Sequence, residues 1–107
     1  MKTNILPFQL GMEYENWEFD LEPINDRIKG YDSYSYIKDN SIPGVKLKNV
    51  ELIFYWEILV AIILEFEESD VPVVEKLSMI GDYTQVKQYF YLSDTKINSL
   101  IYDSLLC

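Results

Sequence analysis

The stretch Lys46-Leu47-Lys48-Asn49-Val50-Glu51-Leu52-Ile53-Phe54-Tyr55-Trp56, then Glu57, then Ile58-Leu59-Val60-Ala61-Ile62-Ile63-Leu64-Glu65-Phe66-Glu67, decides the fold. Its two runs are rich in β-branched and aromatic residues, which suit a pleated, half-buried surface. They read as an antiparallel hairpin that turns near Trp56-Glu57. Side chains alternate along a strand, so Val50, Leu52, Phe54, Trp56, Ile58, Val60, Ile62, Leu64 and Phe66 form one continuous core face. The other face is mixed: Ile53, Tyr55, Leu59, Ala61 and Ile63, flanked by Glu51 and Glu65. A central hairpin covered on both sides has this texture. A long buried helix is the competing account, and the residue types favour strands.

Downstream, Asp70 is placed to cap a short helix with Val73, Leu77 and Ile80 on one stripe and Gly81 at its end. Val86 to Leu92 alternates again, with Tyr89 and Tyr91 on one side and Phe90 and Leu92 on the other. Ser93 then caps a last helix whose apolar face is Ile97, Leu100, Ile101 and Leu105. Upstream, Tyr31 to Lys38 reads as a strand, with Tyr34 and Tyr36 on one face and Ser33, Ser35 and Ile37 on the other. Asp39-Asn40-Ser41 and Pro43-Gly44 form the loop into the hairpin. Asn25-Asp26-Arg27 lies in a turn or short helix between Pro23 and Gly30. Trp17, Phe19 and Leu21 alternate with Glu18, Asp20 and Glu22 as in a half-buried strand. Tyr14, Trp17 and Leu21 also fit helical spacing. Asn4 to Leu10 is a candidate short edge strand, since Pro7 cannot donate to a ladder. The sum is an α+β fold: an antiparallel sheet of four to five strands with one or two helices packed on one face.

The chain has 107 residues and 49% apolar content, enough for the core of one domain, which spans 1–107. The most apolar run, Leu52 to Leu64, contains Glu57 and falls short of the ~20 residues a membrane helix needs. The N-terminal residues lack the apolar stretch of a signal peptide. The lone cysteine, Cys107, can close no internal disulfide, which fits a reducing, cytoplasmic setting. Its terminal position is no prenylation signal. Eighteen acidic residues against nine basic ones leave a net charge of −9. Such a surface repels nucleic acid and anionic membrane and attracts basic partners.

Several chemistries have no residues to run on. There is no histidine, so histidine-based triads, bases and metal sites are excluded, and Cys107 has no histidine to activate it. The four glycines are isolated and build no phosphate loop. Carboxylate-only catalysis needs a defined pair, and eighteen carboxylates single out none. No catalytic residue, metal ligand or cofactor is expected, and the chain reads as a non-enzyme.

Three constellations remain. Glu13, Glu15, Glu18, Asp20, Glu22 and Asp26 form an acidic cluster broken only by Arg27. On a strand, Glu18, Asp20 and Glu22 would stand about 7 Å apart on one face and resemble successive phosphates. They could equally be a solvated edge kept from pairing by charge. The nine tyrosines include Tyr31, Tyr34 and Tyr36 beside Asp32 and Asp39, and Tyr55, Tyr89 and Tyr91 on neighbouring strands. Tyrosine beside aspartate suits lysine or arginine; strands also favour tyrosine for packing alone. Glu65, Glu67, Glu68 and Asp70 lack the glycine turn of a calcium loop and suit the start of a helix. The candidate partner-binding set is therefore Glu13, Glu15, Glu18, Asp20, Glu22, Asp32, Tyr34, Tyr36 and Asp39.

Leu10-Gly11-Met12-Glu13-Tyr14-Glu15-Asn16-Trp17-Glu18-Phe19-Asp20-Leu21 and Gly30-Tyr31-Asp32-Ser33-Tyr34-Ser35-Tyr36 resemble, in texture, small bacterial immunity proteins of pyocin-type bacteriocins and contact-dependent growth inhibition systems. That resemblance implies a cytoplasmic protein that binds a cognate toxin domain, such as a nuclease, and blocks its active site. It transfers no functional residue. The expected partner is a toxin domain with a basic surface, and the free protein is expected to be a monomer. The alternatives are a phage-type nucleic-acid mimic that inhibits a defence enzyme, and a non-catalytic structural or interaction protein.

Overall fold

The computed structural model describes residues 8–16, 18–37, 45, 47–77 and 81–106. Six strands, β1 (Leu21–Pro23), β2 (Asp32–Tyr36), β3 (Leu47–Tyr55), β4 (Ile58–Phe66), β5 (Thr84–Val86) and β6 (Tyr89–Ser93), form one antiparallel sheet of order β1-β2-β3-β4-β6-β5. Helix α1 is Val71–Val74 and helix α2 is Asn98–Leu106. The class is α+β, as the pattern predicts, with six strands instead of four or five. The extra strand comes from the C-terminal alternation: Val86 belongs to β5, Lys87-Gln88 turn the chain, and β6 begins at Tyr89.

The sheet is buried on both faces. One face packs Val50, Leu52, Phe54, Leu59, Ile62, Leu64, Phe66 and Phe90 against Phe8, Leu21, Val45 and Val74. The other packs Ile53, Ala61, Ile63 and Tyr91 against Ile28, Ile97, Ile101 and Leu105. Val74 of α1 thus joins the first face, while Ile101 and Leu105 of α2 join the second. The helices lie on opposite faces, not on one, because both sides of the central hairpin are apolar and each needs a cover.

Alternation along the hairpin is broken at two places. Ile53 pairs with Ala61 and Phe54 with Leu59, so Val60 is an extra residue in β4. Leu47 pairs with Phe66 and Asn49 with Glu65, so Lys48 is an extra residue in β3. Each bulge moves the following side chains to the opposite face. Leu59 therefore takes the core position that strict alternation assigns to Val60, and Val60 packs on the second face. Trp56 and Ile58, expected in the core, are exposed. Val50, Leu52, Phe54, Ile62, Leu64 and Phe66 stand in the core as expected.

Near the N-terminus the alternating pattern of Trp17 to Glu22 does not become one strand. Tyr14–Asn16 and Glu18–Asp20 are single 3-10 turns, and pairing begins only at Leu21. Pro23 ends β1, which pairs three residues with β2, Leu21 facing Tyr36. Phe8 is buried, and Leu10 lies in a turn closed from Met12 N–H to the Gln9 carbonyl, not in a strand. Residues 4–7 of that expected strand, Trp17 and the 39–44 loop lie outside the described residues. The short helix turns Val74, not Val73, inward and stops after one turn; Ile80 lies outside the described residues. Asp70 precedes it without a side-chain cap bond. The last helix starts at Asn98 because Ser93 still belongs to β6, and Asp94 makes the turn by accepting from Lys96 N–H. Its buried stripe is Ile97, Ile101 and Leu105; Leu100 is exposed.

One ion pair sits within this packing. Glu51 points into the second face at 4% exposure and receives Arg27 through two bonds, Nη2 to Oε1 at 2.7 Å and Nε to Oε2 at 3.0 Å. Arg27 Nη1 reaches Ser104 Oγ of α2 at 3.4 Å, and Arg27 N–H donates to Ser33 Oγ. The bond to Glu51 holds the guanidinium above its ordinary pKa. Arg27 thereby ties the 24–31 loop to β3 and α2 through its guanidinium and to β2 through its backbone N–H. Removing one partner of a buried pair leaves the other charge without compensation. Arg27→Met is expected to destabilise by about 3 kcal/mol in urea unfolding, and Arg27→Met with Glu51→Met to recover most of that. Equal losses in the single and double variants would show that the pair is not the cause.

Burial pushes the Tyr83 hydroxyl up to about 12, with Asp82 acting in the same direction. A phenol pKa raised on folding stabilises the native state below the unfolded value of about 10, and that stabilisation is lost as pH rises toward 12. Burial raises Tyr34 and Tyr91 as well. Tyr83→Phe should therefore reduce, not abolish, the loss of stability between pH 10 and 12, by about 2 kcal/mol. Urea midpoints measured across that range provide the check.

Candidate binding site at the hairpin tip

The two-residue connection of the central hairpin is Trp56-Glu57, with φ of 52° and 66°. Two successive left-handed residues are the signature of a type I′ turn, which favours Asn-Gly because side chains there are strained. The turn is nevertheless a tryptophan and a glutamate, and Trp56 is 81% exposed. Tyr55 and Ile58 beside it are also exposed. Tyr55 pairs with Ile58 across the ladder, so both project from one face. Tyr31 stacks on Tyr55 at 4.8 Å between ring centroids, and Trp56 meets Tyr55 nearly edge-on at 6.2 Å.

The tip is held from its other side by the N-terminal segment. Leu59 N–H donates to the Met12 carbonyl, Gly11 N–H to the Leu59 carbonyl and Tyr14 N–H to the Glu57 carbonyl, all within 2.8 Å. Glu13 forms a bridge to Ile58. Gly11, with φ of 95°, bends the chain into this position, a conformation that suits a residue without Cβ. Tyr14 packs on Tyr34 and Phe54 at 5.0 and 5.6 Å. Gly30, Asp32, Tyr55, Trp56 and Glu57 together line an open concavity of about 740 Å³.

Compared with protein-family models, curated proteins and solved structures, the chain matches none. What the site does is therefore argued from its own residues.

The candidate partner-binding residues from the sequence separate in space. Asp32 lines the concavity, and Glu13 is exposed beside the tip. Glu15 is exposed on a 3-10 turn, Glu22 is exposed on the edge strand β1, and Asp20 is part-buried at the start of β1, where its carbonyl accepts from Ile37 N–H. Glu18 lies in the same turn as Asp20, so the three acids form no row along a strand. Tyr34 and Tyr36 are packing residues: Tyr34 against Tyr14 and Phe54, Tyr36 edge-on to Phe8 at 4.7 Å. Asp39 lies outside the described residues. Of the later acidic group, Glu65 contacts Lys48 at 3.7 Å while Glu67 and Glu68 face solvent. Among the described residues no three potential ligands converge to hold a metal ion, and no helix is long and apolar enough to cross a membrane.

Trp56, Glu57, Ile58 and Gly30 are the tip residues that the sequence reading misses; Tyr31 stands among the tyrosines it singles out, though not in the candidate set. A signal was present. A hairpin with two residues between its strands puts those two in the turn, and a tryptophan where asparagine belongs is a local violation of the kind functional sites carry. Glu57→Gly is expected to stabilise the protein by about 1 kcal/mol, because glycine adopts φ of 66° without strain. An unchanged or lower urea midpoint would show that the turn carries no such strain.

Proposed function

We propose that this chain is an immunity-type inhibitor: a cytoplasmic, non-catalytic protein that binds a cognate toxin domain through the hairpin tip and neutralises it. One observation carries this reading. A tryptophan in the hairpin turn and the tyrosine before it stand exposed, with Glu57 and Asp32 lining the same concavity. Aromatic anchors of this kind contribute most of the affinity of protein interfaces, since they supply large area with few rotatable bonds. The strained turn fits the same account, as strain persists where function requires the side chains. The net charge of −9 supports a basic partner, such as a nuclease domain, and long-range attraction that speeds encounter.

The tip, not the Glu18–Asp20–Glu22 series, is the contact surface in this proposal. Without a row of carboxylates, the resemblance to a phosphate backbone has no geometric support, and the nucleic-acid-mimic alternative is not favoured.

The test is co-expression of the tagged chain with the protein encoded immediately upstream of its gene. Co-elution of the two, together with growth that depends on this chain, is the expected result; neither co-elution nor toxicity would overturn the proposal. In the complex, Trp56→Ala is expected to weaken binding by about thirtyfold or more, mostly through faster dissociation. Raising salt should slow association of the wild type. An association rate indifferent to salt would remove the steering argument.

A further inference from the structure

We propose that the concavity at the hairpin tip is a receptor for a single arginine side chain of the partner. The inference rests on the tip being the binding surface and goes further by naming what enters it. Among the described residues, Gly30, Asp32, Tyr55, Trp56 and Glu57 line the concavity. These include two acidic and two aromatic residues and no base; Lys29, next to Gly30 in the chain, is not among them. Gly30 adds no side chain, and with φ of 89° it keeps the loop turned back beside the rings. Its Cβ position meets nothing within 4 Å, so the space beside it is open.

This combination selects by charge and by shape. A cation is attracted to the faces of tryptophan and tyrosine and to the carboxylates at once. An ammonium is compact and strongly hydrated. A guanidinium is planar, gives up its water more readily, stacks on a ring and offers a fork of donors to a carboxylate. The concavity, at about 740 Å³, has room for the side chain together with the backbone that carries it. The occupant comes from another molecule: the chain's one arginine, Arg27, is held by Glu51 in a different part of the fold.

The same chain shows how it holds a guanidinium, by two bonds from Arg27 to the Glu51 carboxylate. At the tip Tyr31 and Trp56 already meet the Tyr55 ring, while the Trp56 indole is 81% exposed with Glu57 next to it in the chain, so an incoming fork has the indole and a neighbouring carboxylate to meet. A toxin that uses an arginine to grip phosphate would have that residue occupied on binding.

The experiment is a titration of the full chain with N-acetyl-arginine amide, read by amide and indole nuclear magnetic resonance. Trp56→Phe assigns the indole signal of Trp56 apart from that of Trp17. N-acetyl-lysine amide and the uncharged isostere N-acetyl-citrulline amide serve as comparisons. The expected result is saturable shifts confined to Gly30, Asp32 and Tyr55–Glu57, with affinity on the order of millimolar for one free side chain. Lysine should bind several-fold more weakly and citrulline about tenfold or more so. Glu57→Gln and Asp32→Asn should each weaken the arginine response while leaving the remaining spectrum unchanged, which also reports that the fold is intact. No saturable shift at these residues, equal shifts with citrulline, or shifts spread over the whole acidic surface would each overturn the inference.

Failure here is separable from failure of the immunity reading. If Trp56→Ala abolishes neutralisation but the probe does not bind, the tip is the interface and the arginine receptor is wrong. If the probe binds at the tip but Trp56→Ala neutralises the toxin normally, the tip takes a guanidinium but does not meet the toxin, and the assignment of that guanidinium to the partner is overturned along with the tip as contact surface.

Discussion

The β3–β4 ladder is the constraint from which the remaining structure follows. Both its faces are dry, so its side chains cannot shift register without moving apolar groups into water, and its backbone polar groups must find partners within the sheet. β4 meets that demand with β3 along one side. Along the other it uses three consecutive suppliers: β6 as far as Ala61, then Asp94, whose N–H reaches the Val60 carbonyl, then Gly11–Tyr14. The extra residue at Val60 marks the change from one supplier to the next. It also rotates the last turn of the hairpin, so that Leu59 faces the core while Trp56 and Ile58 face solvent. A defect in alternation is thus what separates a packed central hairpin from an exposed tip.

How much of this was legible depends on how local the information is. Val50, Leu52 and Phe54, and Ile62, Leu64 and Phe66, follow from period two alone, because no bulge falls within either trio. Ile97, Ile101 and Leu105 follow from helical spacing. The boundary at Val60 does not: nothing in Leu59-Val60-Ala61 marks a bulge, and the shift is set by which strands arrive beside β4. The same holds for Glu18 to Glu22. Their alternation is real in sequence, but β1 can pair only where β2 runs alongside, and Pro23 ends it after three residues. Tertiary pairing, not local pattern, decided both.

The tyrosines divide along similar lines. Tyr34, Tyr36 and Tyr91 sit against the sheet and fill volume with a polar end that stays near water or a partner, as Tyr91 does at Asn98 Oδ1. Tyr31 and Tyr55 lie at the open end of the sheet, where their rings meet each other and Trp56, and Tyr31 also packs against the edge of the second core face. Residue type is the same in both groups, and position in the ladder separates the packed rings from those at the open end. Asp32 opens β2 at that end and is exposed; Tyr34, two residues on, lies one step deeper and packs against the core.

The clasp of Gly11–Tyr14 on the start of β4 has a consequence for the order of assembly. Its two halves are more than forty residues apart in the chain, and contacts of such long span form slowly because the intervening chain must first be brought to heel. During synthesis the N-terminal segment emerges long before residues 57–59 exist to receive it. Until then its amides have only water, and the aromatic tip has no backing. The clasp can therefore close only after residues 57–59 have emerged, while β6 and α2, which cover β4 from the other side, emerge later still.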